Sequence, residues 1–299
     1  MKVSVVMPAY NPGDYLDLAI ESLIAQTYRD WECIVVDDGS KEDLSRVEKM
    51  DSRVRLIRQK NKGASIARNV AMLASDGPYI ALLDSDDIWY PEKLALQIEV
   101  LENNALFGMC HSAHDIINER GEITGGGFGS DIKNYIGLLA SNSICASTVV
   151  FRRSCLADSG LMDPLLPLNQ DFDMWLKIAM HHDIGFVASH QAGYRVHSFN
   201  VSSRVQESLN EQFDILRRHI RLAHLAGDVK AEAAAKSNFK PTRSAWGAKA
   251  YDRSRSALNQ RDFAQARKFL LLSLKLAPTY TLRSLVNYGW QQGAKKFRR

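Results

Sequence analysis

The sequence predicts an α/β protein, a mainly parallel sheet flanked by helices and followed by an α-helical extension. Two observations carry that prediction. Apolar, β-branched runs alternate with helix-period segments through the first 115 residues, and from Val205 onward the pattern is helical. A strand with parallel neighbours is covered on both faces and reads as an unbroken apolar run, whereas a helix on the sheet repeats its apolar residues three and four apart. VSVVM is the first such run. Leu16, Ile20, Leu23 and Ile24 then share a helical face, ECIVV is a second strand, Ile66, Ala67, Val70 and Ala71 mark a second helix, and YIALL is a third strand. This spacing fits a nucleotide-binding α/β half, with polar residues where the strands end and such sheets bind ligands. Between Phe107 and His197 the pattern is mixed: STVVF and IGFVA read as strands, and GGGFG near Gly125 as a flexible loop. Phe213, Leu216 and Ile220 form a helical stripe, and a break around Lys240 and Pro241 precedes two more helical runs. The expected domains are 1–204, in halves 1–115 and 116–204, and 205–299. Their boundary falls between 204 and 242, with Pro241 as its hinge.

Composition narrows the class. Of 299 residues 45% are hydrophobic and 24% charged, near the globular average, and no apolar stretch approaches a bilayer span. Pro8, Asn11 and Pro12 cut short any signal-peptide apolar region, so Val3 onward reads as mature cytoplasmic structure. Cys33, Cys110, Cys145 and Cys155 form no C-x-x-C pair and read as core thiols of a reducing compartment. The net charge of +4 hides an asymmetry: residues 236–299 hold 15 Lys and Arg against two acids, while the preceding 235 hold 23 basic and 32 acidic residues. An acidic body suits metal ions, and a basic extension suits an anionic membrane surface or nucleic acid. The extension shows no nucleic-acid motif and few aromatics, so nucleic acid is not expected as a partner.

GPYIALLDSDDIWYP puts an apolar strand directly before Asp84, Ser85, Asp86 and Asp87. Two carboxylates one residue apart at a strand end can share a divalent cation that keeps open positions for a diphosphate. An acidic turn capping the helix at Pro91 is the plain alternative. The cluster has company: MPAYN ends the first strand, IVVDDGS ends the second, and KGASIARN puts Arg68 and Asn69 on the next helix. STVVFRRSCL, NQDFDMWLKIA and YRVHSFNVSS follow in order. Together these resemble the family 2 glycosyltransferases, which have the Rossmann-like GT-A fold, and the resemblance covers residues 3–204, about two-thirds of the chain.

The resemblance implies roles. Pro8, Ala9 and Tyr10 would line the base and ribose of a nucleotide-sugar, with Asp38 accepting a hydrogen bond from the base and Arg68 approaching base or phosphate. Asp84 would sit near the ribose, and Asp86 would hold Mn²⁺ or Mg²⁺ across the two phosphates, where the metal stabilises charge building on the leaving group. His197 matches a position close to the diphosphate or the metal. Asp171 would be the general base that takes the acceptor hydroxyl's proton in an inverting displacement. The family's usual Glu before this Asp is Gln170 here, an amide that can orient an acceptor and that repels Asp171 less. Asp173 is the fallback base, though surface solvation accounts for it better. Trp89 could touch sugar or acceptor, and Trp175 reads as packing.

QRDFAQARKFLLLSLKLAPTY resembles the second helix of a tetratricopeptide unit, with Phe263, Ala266, Leu270 and Leu274 at helical spacing. Leu282, Leu285, Val286, Trp290 and Phe297 continue as a stripe that ends in KKFRR, and such a helix either lies on an anionic membrane or packs on the hairpin before it. The expected activity is transfer of a sugar from a nucleoside-diphosphate sugar, UDP first, to a hydroxyl of a glycan or lipid-linked glycan in cell-surface polysaccharide assembly. The expected place is the cytoplasm, peripheral on the inner face of the membrane. Two alternatives stand beside it: a vestigial nucleotide-sugar-binding scaffold acting through its helical tail, and a sugar nucleotidyltransferase. The latter would need a Gly-rich basic first loop that AYNPGDY lacks.

Overall fold

A computed structural model of the chain describes residues 1–197 and 204–286. Contacts divide the chain into two compact units, Met1–Asn200 and Val201–Arg299. The first opens with β1 (Val3–Ala9), α1 (Tyr15–Ile24), β2 (Trp31–Asp37), β3 (Val54–Arg58), α2 (Ala64–Ala74) and β4 (Tyr79–Leu82). β1 is parallel to β2 on one side and to β4 on the other, Val5 lying opposite Cys33 and Ala81, and β3 is parallel to β2. One face of β1, Val3, Val5 and Met7, packs in a cluster with Leu16, Ile20 and Leu23 of α1, while α2 covers the other face. The sheet grows in both directions from β1. Connections therefore diverge between β1 and β4 and leave a crevice at their carboxyl ends.

The rest of the unit comprises β5 (Ile88–Trp89), α3 (Lys93–Asn103), β6 (Phe107–Ile117), β7 (Ile123–Phe128), α4 (Tyr135–Ala140), β8 (Val150–Arg152), α5 (Leu156–Ser159), α6 (Gln170–Ala179) and β9 (Asp183–Arg195). Among the described residues the sheet runs β3-β2-β1-β4-β8-β6-β9-β5, with β7 paired to β6. β8 is antiparallel to both β4 and β6, and β9 is parallel to β6. β4, β6 and β9 consequently end on the same rim as β1. That rim carries Tyr10, Asp84, Asn118 and His197.

Two expectations fail here. The GGGFG segment is strand, not flexible loop: β7 pairs antiparallel with β6, Ile116 opposite Gly125 and Ile117 opposite Ile123, across register shifts. Gly129, at φ +155°, comes so close to β6 that a Cβ there would lie 2.7 Å from the Ala113 Cα, so the glycine serves close approach. The other failure concerns Pro241.

The second unit contains α7 (Val205–Leu225), α8 (Val229–Asn259) and α9 (Phe263–Leu276), with residues 278–286 helical after a break at Ala277. Pro241 is no hinge, because α8 runs straight through it. Packing overrides the proline's missing N–H: Phe239 stacks on Phe213 with ring centroids 4.8 Å apart, and Trp246 Nε1 donates to Gln212 Oε1 at 3.0 Å, which fixes α8 to α7 on both sides of the proline. Asp228 and Asp262 cap α8 and α9 by accepting from Ala231 N–H and Gln265 N–H. No helix among the described residues is long and apolar enough to cross a membrane. The expectations for Trp290, Phe297 and the KKFRR terminus, and for residues 198–203 of YRVHSFNVSS, lie outside the described residues.

Candidate active site

The predicted residues come from strand ends at the rim and from the helices α2 and α6. Tyr10, half exposed, follows Ala9 at the end of β1, and the chain then turns at Asn11, whose φ of +48° is a left-handed conformation that asparagine tolerates. Asn11 N–H donates to Ser40 Oγ and Asn11 Oδ1 accepts from Lys41 N–H, both at 2.9 Å. The loops after β1 and β2 are thereby joined. Pro8 and Ala9 lie in the strand itself, Ala9 buried.

Asp38 is 3% exposed and its carboxylate is occupied by its own chain. It accepts from Gln59 Nε2 at 2.7 Å and from Lys62 N–H and Gly63 N–H at 2.8 Å each. Gly63 sits at φ +91°, a backbone that L side chains rarely adopt, and starts α2. Asp38 thus folds the loop that launches the helix bearing Arg68, and of the roughly four lone-pair positions of a carboxylate one is left for an outside donor.

Arg68 is 5% exposed and ion-paired to Asp84 through Nη2. Its Nε and Nη1 are buried without a partner. Burial works against its charge, but Asp84, Asp171 and Asp86 outweigh that and raise its pKa above the ordinary value. α2 also places Asp171: Asn69 Nδ2 donates to Met162 O at 2.8 Å and Asn69 Oδ1 accepts from Met162 N–H at 3.0 Å, while Ser65 Oγ donates to Leu166 O at 3.0 Å. Those bonds tether the loop that leads into α6, whose first turn carries Gln170 and Asp171. Asp171 is partly exposed; burial raises its pKa and the Arg68 charge pulls it back. Gln170 is 5% exposed, and its Oε1 has no hydrogen-bond partner.

The acidic turn separates three carboxylates. Asp87 N–H donates to Asp84 O at 3.1 Å, closing the turn. Asp84 faces Arg68, Asp86 Oδ2 lies 2.9 Å from His197 Nε2, and Asp87 points into the core. Burial first, then Asp86 and Asp84, raise the Asp87 pKa well above the carboxylate range. A carboxylate oxygen and an imidazole nitrogen side by side suit Mn²⁺ or Mg²⁺, the nitrogen favouring manganese. Among the described residues no group of three or more His, Cys, Asp or Glu could hold a metal. A pair of side-chain ligands leaves positions on such an ion that a diphosphate could fill.

Two placements correct the sequence reading. Trp89 is not open to sugar or acceptor: it is 3% exposed, its Nε1 donates to Ser147 O at 2.7 Å, and Lys93 Nζ stands 4.1 Å from its ring centroid. Asp173 is not a solvated surface acid: it is fully buried and ion-paired to Lys177 at 2.9 Å. Ser147 and Arg195 escaped notice, although both bond the acidic turn. The available signal was a small polar residue just ahead of STVVF's apolar run, and an arginine two residues before His197.

The profile of Glycosyl transferase family 2 matches residues 4–156. The chain is a family 2 glycosyltransferase. Its relatives include WfgD of Escherichia coli, a UDP-Glc:alpha-D-GlcNAc-diphosphoundecaprenol beta-1,3-glucosyltransferase, 35% identical over 223 residues that cover 72% of this chain and 85% of that one. Against an uncharacterized glycosyltransferase of Rickettsia felis the chain spans only 33% of the relative's length. Among solved structures, S. aureus TarS 1-349 in complex with UDP-GlcNAc superposes with a TM-score of 0.62 at 15% identity over 90% of both chains. The mannosyltransferase PcManGT from Pyrobaculum calidifontis, in complex with GDP-Man and Mn²⁺, gives 0.65 at 16% identity over 99% of this chain and 81% of that one. This family 2 glycosyltransferase therefore has the GT-A fold, with a C-terminal helical extension.

Proposed function

We propose that the chain transfers a sugar, with inversion, from a nucleoside-diphosphate sugar to a hydroxyl of a glycan or lipid-linked glycan. The observation that carries the reading is Arg68, a buried guanidinium with two unpaired nitrogens beside Asp84 at the switch point of the sheet. A buried donor left unpaired costs about 1–3 kcal/mol, and a phosphate or base oxygen would satisfy it. Tyr10 and the last acceptor position of Asp38 suit the base. Asp86 and His197 would hold Mn²⁺ or Mg²⁺, which when bound offsets charge on the departing diphosphate. The acceptor oxygen bonds to the anomeric carbon as that carbon's bond to phosphate oxygen breaks, and Asp171 takes the hydroxyl proton. A base with a raised pKa is well matched to that task near neutral pH. Uridine is the base to test first, since WfgD is named as a UDP-glucose enzyme.

The helical extension is proposed to rest on an anionic membrane, where a lipid-linked acceptor would be found. α9 turns Phe263, Arg267, Lys268, Leu271 and Lys275 outward together, Phe263 70% and Leu271 56% exposed, and Leu282 and Val286 follow. Apolar residues among cations on one helix face suit a bilayer interface.

The test of the donor site is the thermal shift of the purified chain with UDP, GDP, dTDP or CMP, each with and without Mn²⁺. A ligand at about 100 times its Kd stabilises by about 2.7 kcal/mol. A Mn²⁺-dependent shift with one diphosphate is expected; no shift with any of them would overturn the reading.

A further inference from the structure

Of the three acids in the turn, Asp87 alone faces inward, and its surroundings form a clamp. Asp87 is 1% exposed; its Oδ2 accepts from Ser147 Oγ at 2.5 Å and its Oδ1 from Arg195 N–H at 2.9 Å. Ser147, also 1% exposed, lies 60 residues away in sequence on the rim between α4 and β8, and its hydroxyl accepts Asp84 N–H at 3.1 Å. One hydroxyl therefore ties the first residue of the turn to the last. Its backbone carbonyl meanwhile takes the Trp89 indole N–H at 2.7 Å. From the other side Arg195, 1% exposed, donates through Nε to Asp86 O at 2.7 Å and through Nη1 to Asn118 O at 3.0 Å and Glu119 O at 3.2 Å. Its guanidinium lies 4.8 Å from the Tyr15 ring centroid, and that ring lies 5.3 Å from the His197 ring. The chain reaches His197 two residues beyond Arg195.

We propose that Ser147 is a positioning residue: with Asp87 and Arg195 it clamps the Asp84–Asp87 turn, so that Asp84 stays on Arg68 and Asp86 stays on His197. Three carboxylates within four residues repel one another, and the turn would spread if only solvent-facing contacts held it. Ser147 carries no charge, is 1% exposed and gives its O–H to Asp87, so in this proposal it acts through the acids rather than by touching substrate or metal. This inference rests on the metal-and-donor reading above. Removing a group that orients a metal's ligands typically weakens metal binding by roughly 10- to 100-fold.

Ser147→Ala in the full chain tests it, read by electron paramagnetic resonance of free Mn²⁺ titrated into protein with saturating UDP. The expected result is an apparent Mn²⁺ affinity lower by roughly 10-fold or more in the folded variant. A lower melting temperature with unchanged Mn²⁺ affinity would make Ser147 merely structural and overturn the proposal. Should the parent chain retain no Mn²⁺ with UDP, the metal reading itself fails, and hydrogen exchange then decides the clamp. Amides of residues 84–87 exchanging roughly 10-fold faster in Ser147→Ala, with β1 amides unchanged, would support it. Equal exchange in both proteins would refute it.

Discussion

Replacing Lys93 by Met would reveal how the core beneath the site tolerates a buried amine. Lys93 opens α3 with no exposed surface, its Nζ donating to Gln97 Oε1 at 2.6 Å. Burial pulls its pKa from 10.5 down to about 7, against the smaller upward pull of the Cys110 and Cys145 thiols. The folded state thus binds this proton less well than the unfolded state. Stability contributed through Lys93 is lowest at and below about pH 7, rises with pH while only the unfolded chain is protonated, and levels off above 10.5. At 1.36 kcal/mol for each pH unit the gap between 10.5 and about 7 amounts to about 5 kcal/mol. Methionine removes that cost, but it leaves Gln97 Oε1 unpaired at about 1–3 kcal/mol and loses a cation–π attraction to Trp89 of up to about 2 kcal/mol. Lys93→Met is therefore expected to be the more stable protein at about pH 6 and the less stable at about pH 10, where the lysine is neutral and only the lost hydrogen bond counts. Urea unfolding of both proteins at five pH values reads this, since every other titration cancels in the difference. Two parallel stability curves would refute the argument, because they would mean that Lys93 keeps its charge against Trp89 at every pH.

Asp171→Asn should retain UDP binding and lose turnover by roughly 10² to 10⁴. Because the base must be ionised, the parent rate should fall as pH drops through a limb above the ordinary carboxylate range, and Arg68→Gln should move that limb higher still by removing the charge that opposes burial. A limb that Arg68→Gln leaves in place would take the base role from Asp171. Removal of residues 279–299 together with Phe263→Ser and Leu271→Ser should release the chain from phosphatidylglycerol vesicles while leaving phosphatidylcholine binding negligible. Co-sedimentation equal to the parent would sink the membrane reading.

The first half of the sheet was legible because its strands are parallel and buried on both faces, so VSVVM, ECIVV and YIALL carry their own signal. The second half was not. β5 is two residues long, and β7 is built on glycines that signal loop by every local propensity and become strand because β6 supplies the ladder. Pro241 misled for the opposite reason, a strong local breaker overridden by aromatic packing on either side. At the site, the acids were readable as a cluster but not by direction, because neighbouring residues of a turn point different ways. Asp173 likewise carries polarity in its residue type while its burial depends on Lys177 one helical turn on. Ser147 has only a weak signal in the chain, a small polar residue ahead of an apolar run, since its role is set by a fold that brings it to residues 60 positions earlier.

Charge supports the proposed role of a metal. Asp84 pairs with Arg68, and Asp171 and Asp86 join it in raising the pKa of that cation. A nucleoside-diphosphate sugar brings about two further negative charges, and in a partly buried cleft each pair of like charges a few ångströms apart costs of the order of kilocalories. Two features lighten the load. Burial and its neighbours raise the pKa of Asp87, and Gln170 stands where a carboxylate would add a charge next to Asp171. One guanidinium still faces more negative charge than it can balance. In the proposed reading a divalent cation between Asp86, His197 and the diphosphate would restore the balance, with the diphosphate supplying part of its ligands. Donor and metal should therefore bind cooperatively, each raising the affinity for the other by the same factor.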